Sequence, residues 1–193
     1  MPRLFTGIEI PEHLKDELGA LESPLPGAKW VPVDDLHLTL RFAGDVDNRT
    51  ADELAQFLAE IRAEPFELQF SELGSFGGRD PKVVFAGFKP CPALLRLQRA
   101  HEAAARAAGL PPEPRPFKPH VTLARLRYAR AEALARYLGH RGGFRSAPFM
   151  VESFALFSAK PGGGGPYVLE AEYPLGVHFG SAWVEGEDGE SDR

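Results

Sequence analysis

The tetrad His37-Leu38-Thr39-Leu40 returns almost unchanged as His120-Val121-Thr122-Leu123. In an extended strand alternate side chains share a face, so each copy sets an imidazole and a hydroxyl on one surface and sends two aliphatic residues into a core. Histidine gives or takes a proton near neutral pH, and two facing imidazoles suit a paired general acid and general base. The threonines add neutral hydrogen-bond donors for an anionic oxygen. One His-x-Thr alone would read as the polar face of a sheet; its repetition in Val/Leu-rich settings points to chemistry. A zinc site would need a third ligand, usually at a clustered spacing such as His-x-x-x-His, and the sequence offers none, so no metal is expected.

The surrounding pattern supplies the elements that must hold these residues. Residues 4–10 read as a strand stopped by Pro11, which suits the first turn of a helix over 12–21 carrying Leu14, Leu18 and Leu21. Residues 29–31 are extended, and the first tetrad lies in a strand over 36–42 closed by turn residues 44–48. A helix over 49–62 places Leu54, Phe57, Leu58 and Ile61 on one stripe. Extended segments over 66–76 and 83–88 flank a glycine-containing loop. A third helix spans 92–108, and His101 reads as an ordinary helix residue. The segment Pro111-Pro112-Glu113-Pro114-Arg115-Pro116-Phe117-Lys118-Pro119 is stiff, because each proline fixes its own φ and pushes its predecessor toward extended conformations. It leads rigidly into the second tetrad strand, 120–126.

A fourth helix over 131–138 follows, then extended segments over 144–158 and 167–173. The glycine run 162–165 between them reads as a flexible hairpin rather than a phosphate cradle, since no helix start or lysine comes after it. The order, β-α-β-α-β followed by β-α-β-α-β-β, predicts an α+β fold of two similar lobes. Each is an antiparallel sheet backed by helices, and each brings one histidine strand to a central cleft.

A chain of 193 residues with 44% apolar content suits one bilobal domain, expected over residues 1–180. The formal charge of −5 is concentrated in residues 181–193, an acidic tail read as disordered. Residues 111–145 carry eight Lys/Arg against Glu113 and Glu132, so the second tetrad sits in a basic segment compatible with a phosphate-bearing ligand. Cys91 is the single cysteine, which rules out an internal disulfide. No long apolar run or charged-then-apolar leader is present; the expectation is a cytoplasmic protein that does not engage a membrane.

With their flanks, the tetrads resemble the 2H phosphoesterases, and among them the RNA 2′,3′-cyclic phosphodiesterases first described as 2′-5′ RNA ligases. The resemblance rests on His37-Leu38-Thr39-Leu40-Arg41-Phe42, on Phe117-Lys118-Pro119-His120-Val121-Thr122-Leu123-Ala124-Arg125 and on Arg3-Leu4-Phe5-Thr6-Gly7-Ile8. It includes Leu73-Gly74-Ser75-Phe76 with Val83-Val84-Phe85-Ala86-Gly87, and so runs through about residues 1–175. It implies a pseudo-twofold pair of lobes and hydrolysis of RNA 2′,3′-cyclic phosphate ends to 2′-phosphate ends, without metal or nucleotide cofactor. By the same resemblance His37 is the proton donor to O3′, His120 the proton acceptor from water, and Thr39, Thr122 and Arg125 hold the phosphate.

Arg125 stands two steps from Leu123, which places it on the core side unless the strand twists or ends there. Arg41 and Lys118 are candidate additional contacts, and Phe42 or Phe117 a candidate stacking surface for a base. Run backwards, the reaction would join a cyclic end to a 5′-hydroxyl as a 2′-5′ linkage without ATP. The alternatives are a different cyclic phosphate, a 2′-5′ oligonucleotide, or a non-catalytic protein that binds RNA ends. The expected partner is RNA with a cyclic phosphate end, and the expected state a monomer.

Overall fold

The structure, a computed structural model, describes residues 1–161 and 163–176. Its strands are β1 (Arg3–Glu9), β2 (Ala28–Trp30), β3 (His37–Asp45), β4 (Phe66–Leu68), β5 (Phe70–Phe76), β6 (Val83–Phe88), β7 (His120–Leu126), β8 (Phe149–Val151), β9 (Ser153–Ala159) and β10 (Val168–Pro174). Among them lie helices α1 (Glu12–Gly19), α2 (Asn48–Ala59), α3 (Pro92–Ala107) and α4 (Ala131–Arg141). Local chemistry sets the helix starts: Asp47 accepts a hydrogen bond from the Thr50 N–H at 2.7 Å ahead of α2, and Pro92 occupies the first turn of α3.

Seven strands run in the antiparallel order β10-β9-β1-β3-β7-β6-β5, with β2 also paired to β7. β4 and β8 form a separate two-stranded pair. β3 and β7 share a single registered pair, Leu38 with Val121. The sheet is therefore two four-stranded halves, β10-β9-β1-β3 and β5-β6-β7-β2, joined at one point. Because that pair is antiparallel and central to both tetrads, continuing its register sets His37 toward Thr122 and Thr39 toward His120. That relation is the pseudo-twofold.

The halves are not consecutive in sequence, which corrects the grouping suggested by element order. β5 and β6 belong with β7, while β9 and β10 return from the far end of the chain to complete the sheet of β1 and β3. The exchange follows from β1, which pairs with β3 on one edge and β9 on the other. Helices α2 and α3 pack on the first half, against β10 and β3, and α4 packs on β5 of the second. The Tyr137 hydroxyl of α4 donates to the Leu21 carbonyl at 3.1 Å, tying α4 to the end of α1. Leu38, Leu40, Val121 and Leu123 are all buried in the core behind the cleft.

Element boundaries differ from the sequence reading in several places: α2 ends at Ala59 rather than 62, and the extended stretch 144–158 begins at Phe149 and breaks at Glu152 into β8 and β9, which enter different sheets. β3 continues through Gly44 to Asp45 because Arg3 and Leu4 pair with those residues, and α4 runs past Gly139 to Arg141. The extended stretch 66–76 breaks at Gln69, whose side chain donates to the Ser146 carbonyl at 2.7 Å, so β4 and β5 enter different sheets. The acidic tail lies outside the described residues. No helix among the described residues is long and apolar enough to cross a membrane.

Candidate active site

Each histidine opens its strand, and each is held in the same way. His37 Nδ1 lies 2.7 Å from the Asp35 carbonyl, and His120 Nδ1 lies 2.6 Å from the Lys118 carbonyl. In both cases the partner is the residue two positions earlier. A carbonyl only accepts, so Nδ1 carries the hydrogen in each ring and Nε2 is left to give or take a proton. At His37 the Nε2 lone pair accepts from the Thr39 hydroxyl at 3.0 Å.

The surroundings differ. His37 is half-buried among Phe5 at 4.7 Å, Tyr167 at 4.9 Å edge-on and Phe157 at 6.2 Å, ring centroid to centroid. His120 meets Phe76 at 4.9 Å and Phe85 at 5.7 Å, both edge-on. Burial holds both imidazoles below their ordinary pKa. At His37 the Asp35 carbonyl and carboxylate work against that fall, whereas the charges of His120 and Arg125 add to it. Both rings are thus biased toward the neutral form before an anion arrives.

Two bulges decide which further residues reach this face. Thr6 pairs with Arg41 but Gly7 with Thr39, leaving Leu40 as the extra residue of β3. Val84 pairs with Ala124 but Phe85 with Thr122, leaving Leu123 as the extra residue of β7. The bulged residue is the last of each tetrad, and beyond it the alternation is reversed. Leu40 and Arg41 are both buried, as are Leu123 and Ala124, while Phe42 and Arg125 emerge. Arg125 therefore does not fall on the core side; its charge acts on both His37 and Tyr167.

The same bulge removes Arg41 from the candidate phosphate contacts. Its Nε donates to Glu102 of α3 at 2.5 Å, with Glu113 at 4.0 Å, and its other nitrogens donate to the carbonyls of Phe42 and Pro111. Arg41 is a buried tie between β3, α3 and the proline-rich segment. Phe117 packs against the hydrophobic core and gives up the role of a free stacking face. Phe42 is 49% exposed, 5.8 Å from Phe5. Thr39 and Thr122 are half-buried beside their histidines. Lys118 is exposed, its Nζ 5.8 Å from the centre of the Phe76 ring.

Asp35 and Tyr167 are site residues that short-range pattern did not reveal. The Asp35 side chain is 9% exposed, and its Oδ1 accepts the Tyr167 N–H at 3.2 Å. A Cβ at position 165 would overlap that carboxylate, so Gly165 is required by close approach rather than only for flexibility. The sole signal was the carbonyl position two before each histidine. His101 is a fully buried core residue rather than an ordinary helix position: its Nδ1 is 2.9 Å from the Thr6 hydroxyl, and its ring meets Phe154 edge-on at 4.4 Å.

Two imidazoles presented Nε2-first by a pseudo-symmetric antiparallel sheet, with two threonines and an arginine beside them, form a site able to move two protons across one anion. The chain belongs to the 2′-5′ RNA ligase superfamily, whose pattern it matches over residues 10–163, in agreement with the resemblance carried by the tetrads. It is 34% identical over 162 residues to an RNA 2′,3′-cyclic phosphodiesterase of Bacillus subtilis, covering 81% of this chain and 87% of that protein. An RNA 2′,3′-cyclic phosphodiesterase of Aeropyrum pernix is 35% identical over 147 residues, covering 75% and 82% of the two chains. Among solved structures, Escherichia coli LigT complexed with 3′-AMP superposes with a TM-score of 0.75 at 26% identity, over 92% of this chain and 100% of that one.

Proposed function

We propose that this chain is a hydrolase that opens RNA 2′,3′-cyclic phosphate ends to 2′-phosphate ends with two histidines as acid and base. The observation that carries the reading is the matched pair of Nδ1–carbonyl bonds, which leaves both Nε2 atoms as the proton-handling positions. Water attacks phosphorus as His120 Nε2 takes its proton; the P–O3′ bond breaks, and His37 Nε2–H gives its proton to O3′. The product carries a 2′-phosphate and a 3′-hydroxyl. Two imidazoles supply both transfers, and no metal or nucleotide cofactor is called for. Replacing water by a 5′-hydroxyl gives the corresponding 2′-5′ ligation.

Assigning the acid to His37 fits its neighbours. The Asp35 carboxylate favours an imidazolium there, and an incoming phosphate adds to that effect. Protonation of Nε2 also releases the Thr39 hydroxyl from the ring, so that it can donate to a non-bridging oxygen alongside Thr122 and Arg125. Phe42 offers a face for the base of the terminal nucleotide.

The test is to incubate an RNA ending in a 2′,3′-cyclic phosphate, in EDTA, with the native protein, His37→Ala and His120→Ala, and to identify the product end. The expected result is a 2′-phosphate from the native protein and negligible product from either variant. A 3′-phosphate would reverse the two roles. No turnover by the native protein would overturn the reading.

A further inference from the structure

The two pseudo-equivalent strands leave the cleft in opposite directions, and their far ends carry different chemistry. Past its bulge at Leu40 β3 presents Phe42 and, after a second bulge at Ala43, Asp45, which is paired with Arg3 at 3.1 Å. Past its bulge β7 presents Arg125, and Arg127 follows directly after the strand ends at buried Leu126; both arginines are exposed. Lys29 of β2 stands directly across from Arg125 in register, also exposed, so the two cations lie side by side on one face of the sheet. That face is the cleft face, since the bulge at Leu123 returns Arg125 to the side of the sheet that carries Thr122.

Among the described residues none of Lys29, Arg125 and Arg127 is ion-paired, while nearby Lys82 is held by Asp80 at 2.5 Å. Immediately beyond Arg127 comes Tyr128, 93% exposed and held at φ 57°, the left-handed region that a non-glycine residue rarely occupies. The turn is fixed from below: the Arg127 N–H donates to the Gly27 carbonyl at 2.8 Å. A tyrosine kept in a strained backbone and turned wholly to solvent, at the end of a row of unpaired cations, is poorly explained by folding.

We propose that Lys29, Arg127 and Tyr128 form a subsite for the single-stranded RNA leading up to the reacting end. The cations contact its phosphates, and the tyrosine offers a stacking face for a base. The inference rests on the reading of the cleft as the site for the terminal cyclic phosphate, with Arg125 as the point where cleft and subsite meet. Arg125 near the end of β7 and Arg127 just past it, whose N–H still bonds the Gly27 carbonyl across from it, stand roughly 7 Å apart, comparable with the phosphate repeat of an extended strand. From Thr122 to the end of β7 at Leu126 the strand spans about 13 Å, and Arg127 and Tyr128 follow beyond it, room for about two nucleotides past the end. Because the first lobe carries Asp45 where the second carries Tyr128, the structure assigns a polarity: the chain leaves over the second lobe.

The experiment uses the full-length protein and 5′-labelled mononucleotide, dinucleotide and pentanucleotide probes ending in a 2′-phosphate, with affinity read by fluorescence anisotropy at low and at physiological salt. The native protein is expected to bind the pentanucleotide about tenfold or more tightly than the mononucleotide. Tyr128→Ala should remove most of that advantage. Lys29→Ala and Arg127→Ala should each weaken pentanucleotide binding and reduce the salt slope by about one. Hydrolysis of a 2′,3′-cyclic mononucleotide, measured in parallel, should be unchanged in all three variants.

Equal affinity for all lengths, or a length advantage that survives the three substitutions, would overturn the subsite. A native protein that shows the length advantage but hydrolyses neither the cyclic mononucleotide nor a pentanucleotide ending in a 2′,3′-cyclic phosphate would overturn the catalytic reading and keep the subsite. The two failures are thus told apart by different readouts.

Discussion

His37 and His120 begin strands of the same pattern and hold Nδ1 by the carbonyl two residues earlier, yet the first ring is more enclosed than the second. Phe5, Phe157 and Tyr167 surround His37, and the Asp35 carboxylate fixes the backbone that carries Tyr167. His120 has two edge-on phenylalanines and, beside it, the exposed stiff segment ending in Lys118 and Pro119. The backbone device is common to both lobes, so it sets what each ring can do. The loops are not common to both, so on the proposed mechanism they are what would divide the roles. An acid benefits from an enclosure that keeps its proton away from solvent, whereas a base acting on water needs solvent at hand.

The comparison breaks most sharply if the histidines prove independent. His37→Ala and His120→Ala should each lower kcat by roughly 10²- to 10⁴-fold. The double variant should be little worse than the poorer single one, because a proton taken on one side has no use without a proton given on the other. Multiplicative losses in steady-state hydrolysis would mean that the rings do not act on one reaction coordinate.

A second contrast concerns the two arginines that flank the bulges. Arg125→Ala should raise KM about tenfold or more for a cyclic phosphate and leave the melting temperature nearly unchanged, since the side chain is exposed. Arg41→Ala should do the reverse: a lower melting temperature from breaking the tie to Glu102 and Pro111, with KM little altered. Activity and thermal unfolding measured on both variants decide it, and an Arg41→Ala protein of native stability with a raised KM would restore Arg41 to the phosphate site.

These arginines also show where sequence reasoning reached its limit. The tetrads were legible because strand alternation is local, and helices α1 to α4 because their apolar spacing and proline stops are local. Bulges at Leu40 and Leu123 were not, since an extra residue is defined by the partner strand, and one inserted position exchanges core for surface for every residue after it. Hence simple alternation kept Arg41 among the candidate additional contacts and put Arg125 on the core side, whereas the fold buries Arg41 and exposes Arg125. The contact of Asp35 with Gly165 and Tyr167 was illegible for a related reason: it joins the turn before β3 to the start of β10, strands separated in the sheet by β1 and β9. The glycine run announced freedom of the chain, and only the packed structure shows that one of its members makes room for a carboxylate.

The Asp35 clamp predicts a smaller, more diagnostic effect. Asp35→Asn keeps an acceptor for the Tyr167 N–H but removes the charge that favours protonated His37, so the His37 pKa should fall. If His37 is the acid, activity requires its proton, and the alkaline limb of the kcat/KM profile moves to lower pH. If His37 is instead the base, the acid limb moves. Asp35→Ala should add a loss of kcat of about tenfold by loosening the wall of the pocket, while Lys118→Ala, which leaves its backbone carbonyl in place, should shift neither limb. A pH profile of Asp35→Asn that overlays the native one would sever the carboxylate from the chemistry.

The smallest effect on activity, and a distinct one on stability, belongs to the histidine of the first lobe that faces away from the cleft. Burial depresses the His101 pKa to about 3, so the folded chain holds this ring neutral, whereas the unfolded chain takes up a proton near the ordinary value of 6.5. Its contribution is fully present above about pH 6.5 and is lost as pH falls from there toward about 3, at up to about 1.4 kcal/mol per pH unit. Its Nδ1 partner is Thr6 on β1, which pairs with β3, and its Nε2 has no partner among the described residues to stabilise a second hydrogen. Urea unfolding of the native protein between pH 7.5 and 5 should therefore show a falling midpoint that His101→Leu flattens, with His37 and His120 left in place. An equal slope in the variant would assign the acid lability to the carboxylates and leave His101 as packing alone.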